Sequence, residues 1–205
     1  MDDILNLTPV NRAKTCFWQR GGMLRMSEAV RAGIHRETLR HMVEQGQLEM
    51  ISRGLYRLVE APPSSNPDLV IVAARVPQGV ICLISALAFH ELTTQIPHEV
   101  YLAITRNSEP RRLEYPPIST FRFSDQSFSA GIETTHSGSV RLRVYAREKT
   151  LADCFKFRNK IGLDTCLEAI RTYRQQRGFD ADALLRYAAV CRVTRVMRPY
   201  IEAVL

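Results

Sequence analysis

The stretch from Gly33 to Leu58, GIHRETLRHMVEQGQLEMISRGLYRL, changes its apolar spacing part-way along. Before Gly46 the apolar residues recur at helical spacing, and after it two short strand-like pieces, QLEMI and GLYRL, meet at Ser52-Arg53-Gly54. Such a pattern predicts one amphipathic helix followed directly by a tight hairpin. This order of elements constrains the fold of the N-terminal segment more than any other feature of the chain.

The predicted helix covers residues 35–45, with Leu39 at the centre of its inner face. At about 100° per residue, His35 and Val43 lie within about 40° of Leu39, and Met42 lies within about 60°. These four side chains are therefore expected to face the core. The opposite face carries charged and polar residues and is expected to face solvent.

A brief helix that opens at Ser27-Glu28 and stops at Gly33 precedes the predicted helix. Two helices joined by a tight turn at Gly33-Ile34 form a helix-turn-helix. The hairpin that follows is a wing, and Gly54 permits the positive φ that its turn tends to require. The sequence thus predicts a winged helix-turn-helix at the N-terminus.

A winged helix suits duplex DNA, because the major groove, about 12 Å wide, admits one α-helix and exposes a distinguishable edge for each base pair. Arg36 and Arg40 can fork onto guanine or clamp phosphate, and Glu37 can accept a hydrogen bond from cytosine N4. The candidate DNA-binding residues are Arg36, Glu37, Thr38, Arg40 and His41 on the second helix, Arg53 and Arg57 on the wing, and Arg25 ahead of the first helix. Winged helices also bind proteins, and Glu37 and Glu44 would repel phosphate, so protein binding and a purely structural role remain as alternatives.

The segment EAPPSSNPD, residues 60–68, contains three prolines and two serines. Proline-rich segments are stiff and extended, which is typical of a linker. The predicted organisation is a winged helix-turn-helix domain at 1–59, a linker at 60–68 and a second domain at 69–205.

The second domain mixes helical and strand patterns, so its expected class is α+β. The expected strands are GVICLI, VYLAIT, ISTFRF, FSAGIETT and VRLRVYA, with a hairpin turn at HSGS and a turn-rich stretch at 106–117. Ser85 is expected to cap a helix, as is Thr150, which has capping-box spacing from Asp153. Helices near 163–177, 181–190 and 194–204 give the chain a helical, bundle-like end.

The net charge of the 205-residue chain is +7, a moderate excess that favours polyanionic partners but is also typical of a solvated basic surface. Residues 141–177 carry ten Lys and Arg against four Asp and Glu, a net +6. Lys149, Lys156, Arg158 and Lys160 are therefore candidates for additional contacts with the DNA backbone. The same surface could approach RNA or an acidic partner, or could be solvated only.

The composition excludes other classes of protein. No segment approaches the roughly 18 consecutive apolar residues of a membrane helix, and the acidic N-terminus lacks the pattern of a secretion signal, so a cytoplasmic protein is expected. The five cysteines are odd in number, widely spaced and without a Cys-x-x-Cys pair. Reduced, mostly buried thiols are expected rather than disulfides or a zinc site.

The residues offer little material for an enzyme. The carboxylates nearest to a nuclease pattern are Asp125, Glu133, Glu148 and Asp153, but Lys149 is adjacent to Glu148 rather than at the usual spacing. Ser85 and His90 lie close in sequence, yet no Gly-x-Ser-x-Gly motif and no phosphate-binding glycine loop is present. We therefore expect no catalytic residues, no metal and no cofactor.

The segment RGGMLRMSEAVRAGIHRETLRHMVEQGQLEMISRGLYRL resembles the N-terminal winged helix of AbiEi-type antitoxins of bacterial type IV toxin–antitoxin systems. It shows the Gly33-Ile34 turn and the wing motif Arg53-Gly54-Leu55-Tyr56, although His35 stands where a capping serine is common. The stretches 82–104 and 144–173 are similar to the C-terminal domain of the same family.

This resemblance implies a two-part protein. Its winged helix would bind inverted repeats in double-stranded DNA upstream of its own operon and repress transcription. The protein would also counter a toxin that resembles a nucleotidyltransferase, in a type of system that does not require stable association of toxin and antitoxin. The alternative is a winged-helix transcription regulator whose C-terminal domain binds a ligand or a partner protein.

Overall fold

The computed structural model of the chain describes residues 8–109 and 113–204. The acidic start of the chain and part of the predicted turn-rich stretch, residues 110–112, lie outside the described residues. The described part falls into two compact units. The first runs to Arg75 and includes residues 136–141, and the second comprises residues 76–135 and the chain from Leu142 onward. None of the described helices is both long and apolar enough to cross a membrane.

Up to Arg75, the described part of the first unit contains four helices and three short strands. In chain order its elements are α1 (Pro9–Trp18), β1 (Met23–Arg25), α2 (Met26–Arg31), α3 (Arg36–Glu44), β2 (Leu48–Ser52), β3 (Leu55–Leu58) and α4 (Pro67–Arg75). Thr8 caps α1 by accepting a hydrogen bond from the Asn11 N–H at 3.3 Å, and Pro9 occupies the first turn, where no N–H is needed.

The three short strands form an antiparallel sheet in the order β1-β3-β2. Gly33, at φ +83°, forms the turn between α2 and α3, and Gly54, at φ +76°, forms the turn between β2 and β3. Both glycines have the left-handed backbone conformation that other residues rarely adopt. The helix-turn-helix, the wing and its glycine turn are therefore present as predicted.

The core of this winged helix is assembled from apolar residues of all its elements. Phe17 of α1, Leu24 of β1, Leu39 and Met42 of α3 and Leu58 of β3 are each completely buried in one cluster. Burying a large apolar side chain contributes roughly 1.5–3 kcal/mol, so this shared cluster fixes α3 against the other elements.

The second unit is built on a mixed five-stranded sheet. Its elements are β4 (Val80–Ile81), α5 (Leu83–Phe89), β5 (Val100–Thr105), β6 (Ile118–Phe123), α6 (Asp125–Ser129), β7 (Ile132–Ser137), β8 (Val140–Tyr145), α7 (Arg147–Lys156), α8 (Arg158–Ile161), α9 (Leu163–Gln175), α10 (Ala181–Cys191) and α11 (Thr194–Val204). The strand order is β6-β5-β4-β8-β7, and the tip of the β7 to β8 hairpin is grouped with the first unit.

Helix α7 is the centre of the second unit. Seven consecutive residues of it, from Lys149 to Phe155, are buried, and it contacts α5, α9, α10 and α11. Strand β4 pairs in parallel with β8 at Ile81 and Val144, and β5 pairs in parallel with β6 along its full length. The α+β class and the helical end of the chain are confirmed, with the last three helices at the expected places.

Several local predictions for the second unit are wrong. Ser85 does not cap a helix: α5 begins two residues earlier, and the buried Ser85 hydroxyl accepts the Tyr101 N–H at 2.9 Å. Thr150 is an interior residue of α7 and donates to the Tyr145 carbonyl at 3.1 Å. The segment FSAGIETT is not a single strand, because its first two residues end α6 at Ser129 and β7 begins only at Ile132.

The boundary between the units falls after Arg75, whereas the proline-rich segment ends at Asp68. Two further observations concern the segment itself: Ala61 is buried in the winged-helix core, and α4 already begins at Pro67. The domain limits read from the sequence stay a prediction.

Candidate nucleic-acid interface

Helix α3 presents one buried face and one solvent-facing face. Leu39 and Met42 on the inner face are completely buried, and Val43 is half-buried. His35 differs from the prediction: it precedes the helix as its N-cap residue, with φ −69° and ψ 147°, and is exposed rather than packed inward. Because α3 begins at Arg36, His35 lies outside the helical repeat that sets the inner face.

The outer face of α3 carries the side chains predicted to read DNA. Arg36, Glu37, Arg40 and His41 are exposed, and Thr38 is half-exposed. The helix therefore offers a continuous polar surface above a fixed apolar base. This is the arrangement by which a recognition helix places side chains against base edges in a major groove.

Arg40 has an acidic neighbour one helical turn away. Its Nε lies 3.0 Å from Glu44 Oε1, with 73% of the Arg40 side chain and 55% of the Glu44 side chain exposed. Exposed i,i+4 ion pairs contribute only about 0.3–0.5 kcal/mol, so this contact does not hold the Arg40 side chain in one position. Its guanidinium can leave Glu44 for a base or phosphate at little cost.

The two wing arginines differ sharply in their surroundings. Arg53 lies at the hairpin turn and is exposed. Arg57 lies on β3, where its Nε is 2.5 Å from Glu49 Oε1 and its Nη1 donates to the Ala61 carbonyl at 2.9 Å. Only 17% of the Arg57 side chain is exposed. Arg53 is thus free to reach a ligand, while Arg57 braces the wing.

Arg25 occupies the junction of β1 and α2. It is half-buried, and its backbone N–H donates to Glu28 Oε2 at 3.0 Å, which closes the first turn of α2. The Arg25 guanidinium forms no hydrogen bond or ion pair with the described part of the chain. Arg25 accordingly combines a structural backbone contact with a side chain that can reach a ligand.

The structure removes Lys149 from the candidate backbone contacts. Its side chain is completely buried and pairs with the equally buried carboxylate of Asp153. Its ammonium also lies 4.1 Å from the ring centroid of Tyr145 and 5.0 Å from that of Phe123. A cation enclosed by a carboxylate and two aromatic faces cannot touch a phosphate in solvent.

Asp153 completes this buried cluster. Besides Lys149, it accepts a hydrogen bond from the Cys191 thiol at 3.1 Å. Burial raises the pKa of Asp153 above its ordinary value, although Lys149 opposes the shift. The carboxylate is therefore a structural group in the core of the second unit, which is a different role from the helix cap predicted from sequence.

The other three basic candidates of the second unit lie near its aromatic residues. Lys156 and Lys160 are exposed, and their ammonium groups lie 6.0 Å from the ring of Phe123 and 5.4 Å from the ring of Phe121. Arg158 is half-buried and donates from Nη1 to the Phe155 carbonyl at 2.9 Å. Lys156 and Lys160 remain accessible to an anionic partner. The Arg158 guanidinium is partly occupied by its hydrogen bond to the backbone of α7.

The residues considered for catalysis are engaged elsewhere or lie apart. Ser85 hydrogen-bonds the backbone of β5, and His90 Nε2 lies 2.7 Å from the Tyr145 carbonyl oxygen, so each is held by main chain. Glu148 accepts a hydrogen bond from the Tyr173 hydroxyl. Across residues 8–109 and 113–204, no group of three or more His, Cys, Asp or Glu side chains could hold a metal ion. All five cysteines are free thiols, four of them buried.

The winged helix also has a clear relationship to known proteins. The family model described as "Transcriptional regulator, AbiEi antitoxin" matches residues 11–59. Over this segment the chain is similar to the AbiEi antitoxin family. The match covers α1, both helices of the helix-turn-helix and the wing, so the AbiEi-type winged helix is the part of the chain that the comparison identifies.

Among solved structures, the chain resembles the RV2827C protein from Mycobacterium tuberculosis with a TM-score of 0.54. The two share 13% sequence identity over 96% of this chain and 81% of the other, so the likeness shows a common fold. No curated protein sequence matches the chain. The AbiEi family is one of transcriptional regulators and antitoxins, a class that is in general not enzymatic.

One group of residues near α3 was missed by sequence reasoning. A cleft of about 550 Å³ lies beside the N-terminus of α3 and is lined in part by Arg12, Arg20, His35 and Thr38. Arg12 belongs to α1 and Arg20 to the turn that follows it, a part of the chain in which sequence reasoning assigned no candidate site residue. The three- and four-residue spacing of polar residues along α1 was the available signal.

Proposed function

We propose that the protein is a DNA-binding transcriptional regulator that represses its own operon and acts as the antitoxin of a type IV toxin–antitoxin system. The observation that carries the proposal is the outer face of α3, where exposed Arg36 and Arg40 stand above the fully buried Leu39 and Met42. The AbiEi match over the same residues supports it.

The division of labour follows from the surroundings of each side chain. Arg36, Glu37, Thr38, Arg40 and His41 would face base edges, where hydrogen bonds discriminate sequence. Exposed Arg53 at the wing tip would hold phosphate, a contact that adds affinity without reading sequence. Arg25 would support α3 from the adjacent backbone, and Arg57 would position the wing.

Inverted repeats are the expected form of the DNA site, read by two copies of the winged helix. Repeats upstream of the protein's own operon would let it limit its own synthesis, in the cytoplasm where that DNA lies. The second unit, with exposed Lys156 and Lys160, would supply further backbone contacts or the antitoxin activity against a nucleotidyltransferase-like toxin.

A reporter gene placed behind the upstream region of the protein's own operon tests the regulatory part. Wild-type protein should repress the reporter, and the pair Arg36→Ala and Arg40→Ala should relieve repression at equal protein levels. Repression by neither protein, or equal repression by both, would contradict the proposal.

Co-expression with the nucleotidyltransferase-like protein encoded beside it tests the antitoxin part. Wild-type protein should restore growth to cells that express this toxin. The α3 variants separate the two activities, because protection that survives loss of repression assigns the antitoxin activity to the second unit. Failure of the wild type to protect would favour a regulator whose C-terminal unit binds a ligand or a partner protein.

A further inference from the structure

The cleft beside α3 has a distinctive chemical lining. It lies between α1 and the turn that joins α2 to α3, and has a volume of about 550 Å³. The polar residues that matter to its chemistry are Arg12, Thr15, Gln19, Arg20, His35 and Thr38. Its lining contains no aspartate or glutamate among the described residues. The cleft is therefore formally cationic, with hydrogen-bond donors on both walls.

Arg12 is one of the two arginines that line the cleft. No acidic partner of Arg12 is recorded within the described ranges, whereas three other basic residues of the winged helix are paired: Lys14 with Glu60, Arg40 with Glu44 and Arg57 with Glu49. A guanidinium without a counter-charge in a concave site is ready for an external anion.

Arg20 lies two residues after the end of α1 and is held in place by that helix. Its Nη1 lies 3.4 Å from the Cys16 carbonyl oxygen and 2.9 Å from the Cys16 Sγ. These contacts occupy one nitrogen and restrict the side chain, and they leave the other guanidinium donors available. Glu28 lines an adjoining cleft that also includes Arg20, but its carboxylate accepts the Arg25 N–H and does not line the cleft beside α3.

The opposite wall of the cleft is formed by the turn before α3 and by its first residues. Arg12 Nη2 lies 4.0 Å from the position that a Cβ on Gly33 would occupy, so the guanidinium reaches the turn between α2 and α3. His35, which directly precedes α3, and Thr38, in the first turn of α3, contribute further polar groups. The cleft thus shares a border with the residues proposed to enter the groove.

We infer that this cleft binds a phosphate group, with Arg12 as its principal ligand and Arg20, His35 and Thr38 as supporting donors. Two sources share this chemistry: the DNA backbone beside the groove that α3 enters, and a free phosphorylated molecule. The first source rests on the proposed function, and the second does not. Guanidinium groups suit this ligand because their planar donors match phosphate oxygens two at a time.

The DNA source is tested by coupling a protein change to a phosphate change. Duplexes from upstream of the gene carry a neutral methylphosphonate at one backbone position at a time, and each is titrated with wild type and with Arg12→Ala. At one position in each half-site the neutral link should weaken DNA binding by the wild type but leave DNA binding by Arg12→Ala unchanged. Arg12→Ala should also reduce the slope of log K against log salt by about 0.9, the value for one phosphate contact.

Lys14→Ala is the matched control. It removes the same charge from the same helix, but Lys14 lies about 200° around α1 from Arg12 and is already paired with Glu60 at 3.6 Å. It should keep the wild-type response to every methylphosphonate. Arg20→Gln is a second variant of the cleft. It should reduce the effect of the methylphosphonate at the same position less than Arg12→Ala does, because Arg20 is a supporting donor.

The free source is tested with inorganic phosphate in the absence of DNA. Amide NMR signals of Gly33, His35 and Thr38 should shift on titration with phosphate in the wild type and not in Arg12→Ala. Either result, methylphosphonate coupling or these shifts, supports the cleft and identifies its source. Absence of both overturns it. Failure of the wild type to bind DNA would contradict the proposed function alone, because the phosphate titration is read without DNA.

Discussion

Arg57 ties the two strands of the wing together, with its Nε 2.5 Å from Glu49 Oε1 on β2 while its Nη1 donates to the Ala61 carbonyl at 2.9 Å. The neighbouring wing arginine, Arg53, is exposed at the turn. Two arginines four residues apart in one hairpin therefore differ: Arg57 is held within the fold, and Arg53 is exposed, as the proposed function requires of a phosphate contact.

Replacement of Arg57 by Ala should destabilise the wing. Loss of a largely buried charged donor and its ion pair should cost about 1–2 kcal/mol, whereas Arg53→Ala at the exposed turn should change stability by less than about 0.5 kcal/mol. Hydrogen exchange of the β3 amides measures this directly. Equal exchange rates in the two variants would contradict the assigned roles.

Arg53→Ala should instead weaken DNA binding without regard to sequence. A lost phosphate contact should lower affinity for the upstream duplex and for a scrambled duplex alike, and should reduce the salt slope by about 0.9. Fluorescence anisotropy with both duplexes across a salt series measures both quantities. A loss confined to the upstream duplex would assign Arg53 to base reading.

Arg40→Ala and Arg36→Ala should lower affinity selectively. Where the lost contact reads a base, the cost is about 1–3 kcal/mol on the upstream duplex, with relaxed specificity at that position. Competition binding with single-base variants of the duplex locates the base. His41→Ala serves as a comparison on the same exposed face. If every α3 variant lost equal affinity for upstream and scrambled DNA, the proposed division between base contacts and backbone contacts would be contradicted.

Lys149→Met should destabilise the second unit severely. It leaves the fully buried Asp153 carboxylate without its cation, and breaking one side of a buried pair costs about 3–5 kcal/mol. The double change Lys149→Met with Asp153→Leu should recover much of that loss, because no isolated charge remains. Thermal unfolding of the three proteins decides the matter, and a double variant no more stable than Lys149→Met would be contrary to this account.

The stability of the protein should depend on pH through His90. Burial lowers the pKa of His90 below 6.5, and its Nε2–H donates to the Tyr145 carbonyl. A histidine with a depressed folded-state pKa contributes stability that is complete above 6.5 and is lost as the pH falls through the folded value. Between pH values of about 8 and 5, the midpoint of thermal unfolding should fall more in wild type than in His90→Gln. Parallel curves would refute this.

The winged helix could be predicted from sequence because its decisive signals are local. The apolar spacing around Leu39, the glycine turns at Gly33 and Gly54 and the strand pieces on either side lie within one short stretch. Each requires only the periodicity of a helix or strand and the conformational freedom of glycine. The inner face was misjudged only at His35, where the helix begins one residue later than predicted.

The second unit could not be predicted in the same detail, because its elements are fixed by distant partners. Ser85 is a buried helix residue that hydrogen-bonds the backbone of Glu99 and of Tyr101 in β5, fourteen and sixteen residues away. Lys149 and Asp153 have ordinary helix spacing, and only the packing of α7 among four other helices makes both of them buried. Charge in a sequence therefore indicated a basic surface at Lys149 that the tertiary structure does not provide.

The cleft beside α3 was missed for a related reason. Strand β1, helix α2 and the turn after it separate Arg12 and Arg20 from His35 and Thr38 in the chain, and their juxtaposition depends on how α1 packs on the shared core. Sequence reasoning placed α3 and the wing, but it did not identify which residues of α1 and of the turn after it lie beside α3.

Titration of the full chain with the duplex from upstream of its own gene, against a scrambled duplex across a salt series, tests the central claim most directly. The account predicts tighter binding to the upstream duplex at physiological salt. It also predicts a steep negative slope of log K against log salt, about −0.9 for each phosphate contacted. Equal and weak binding to both duplexes would contradict it, and would make the winged helix a module for binding protein rather than DNA.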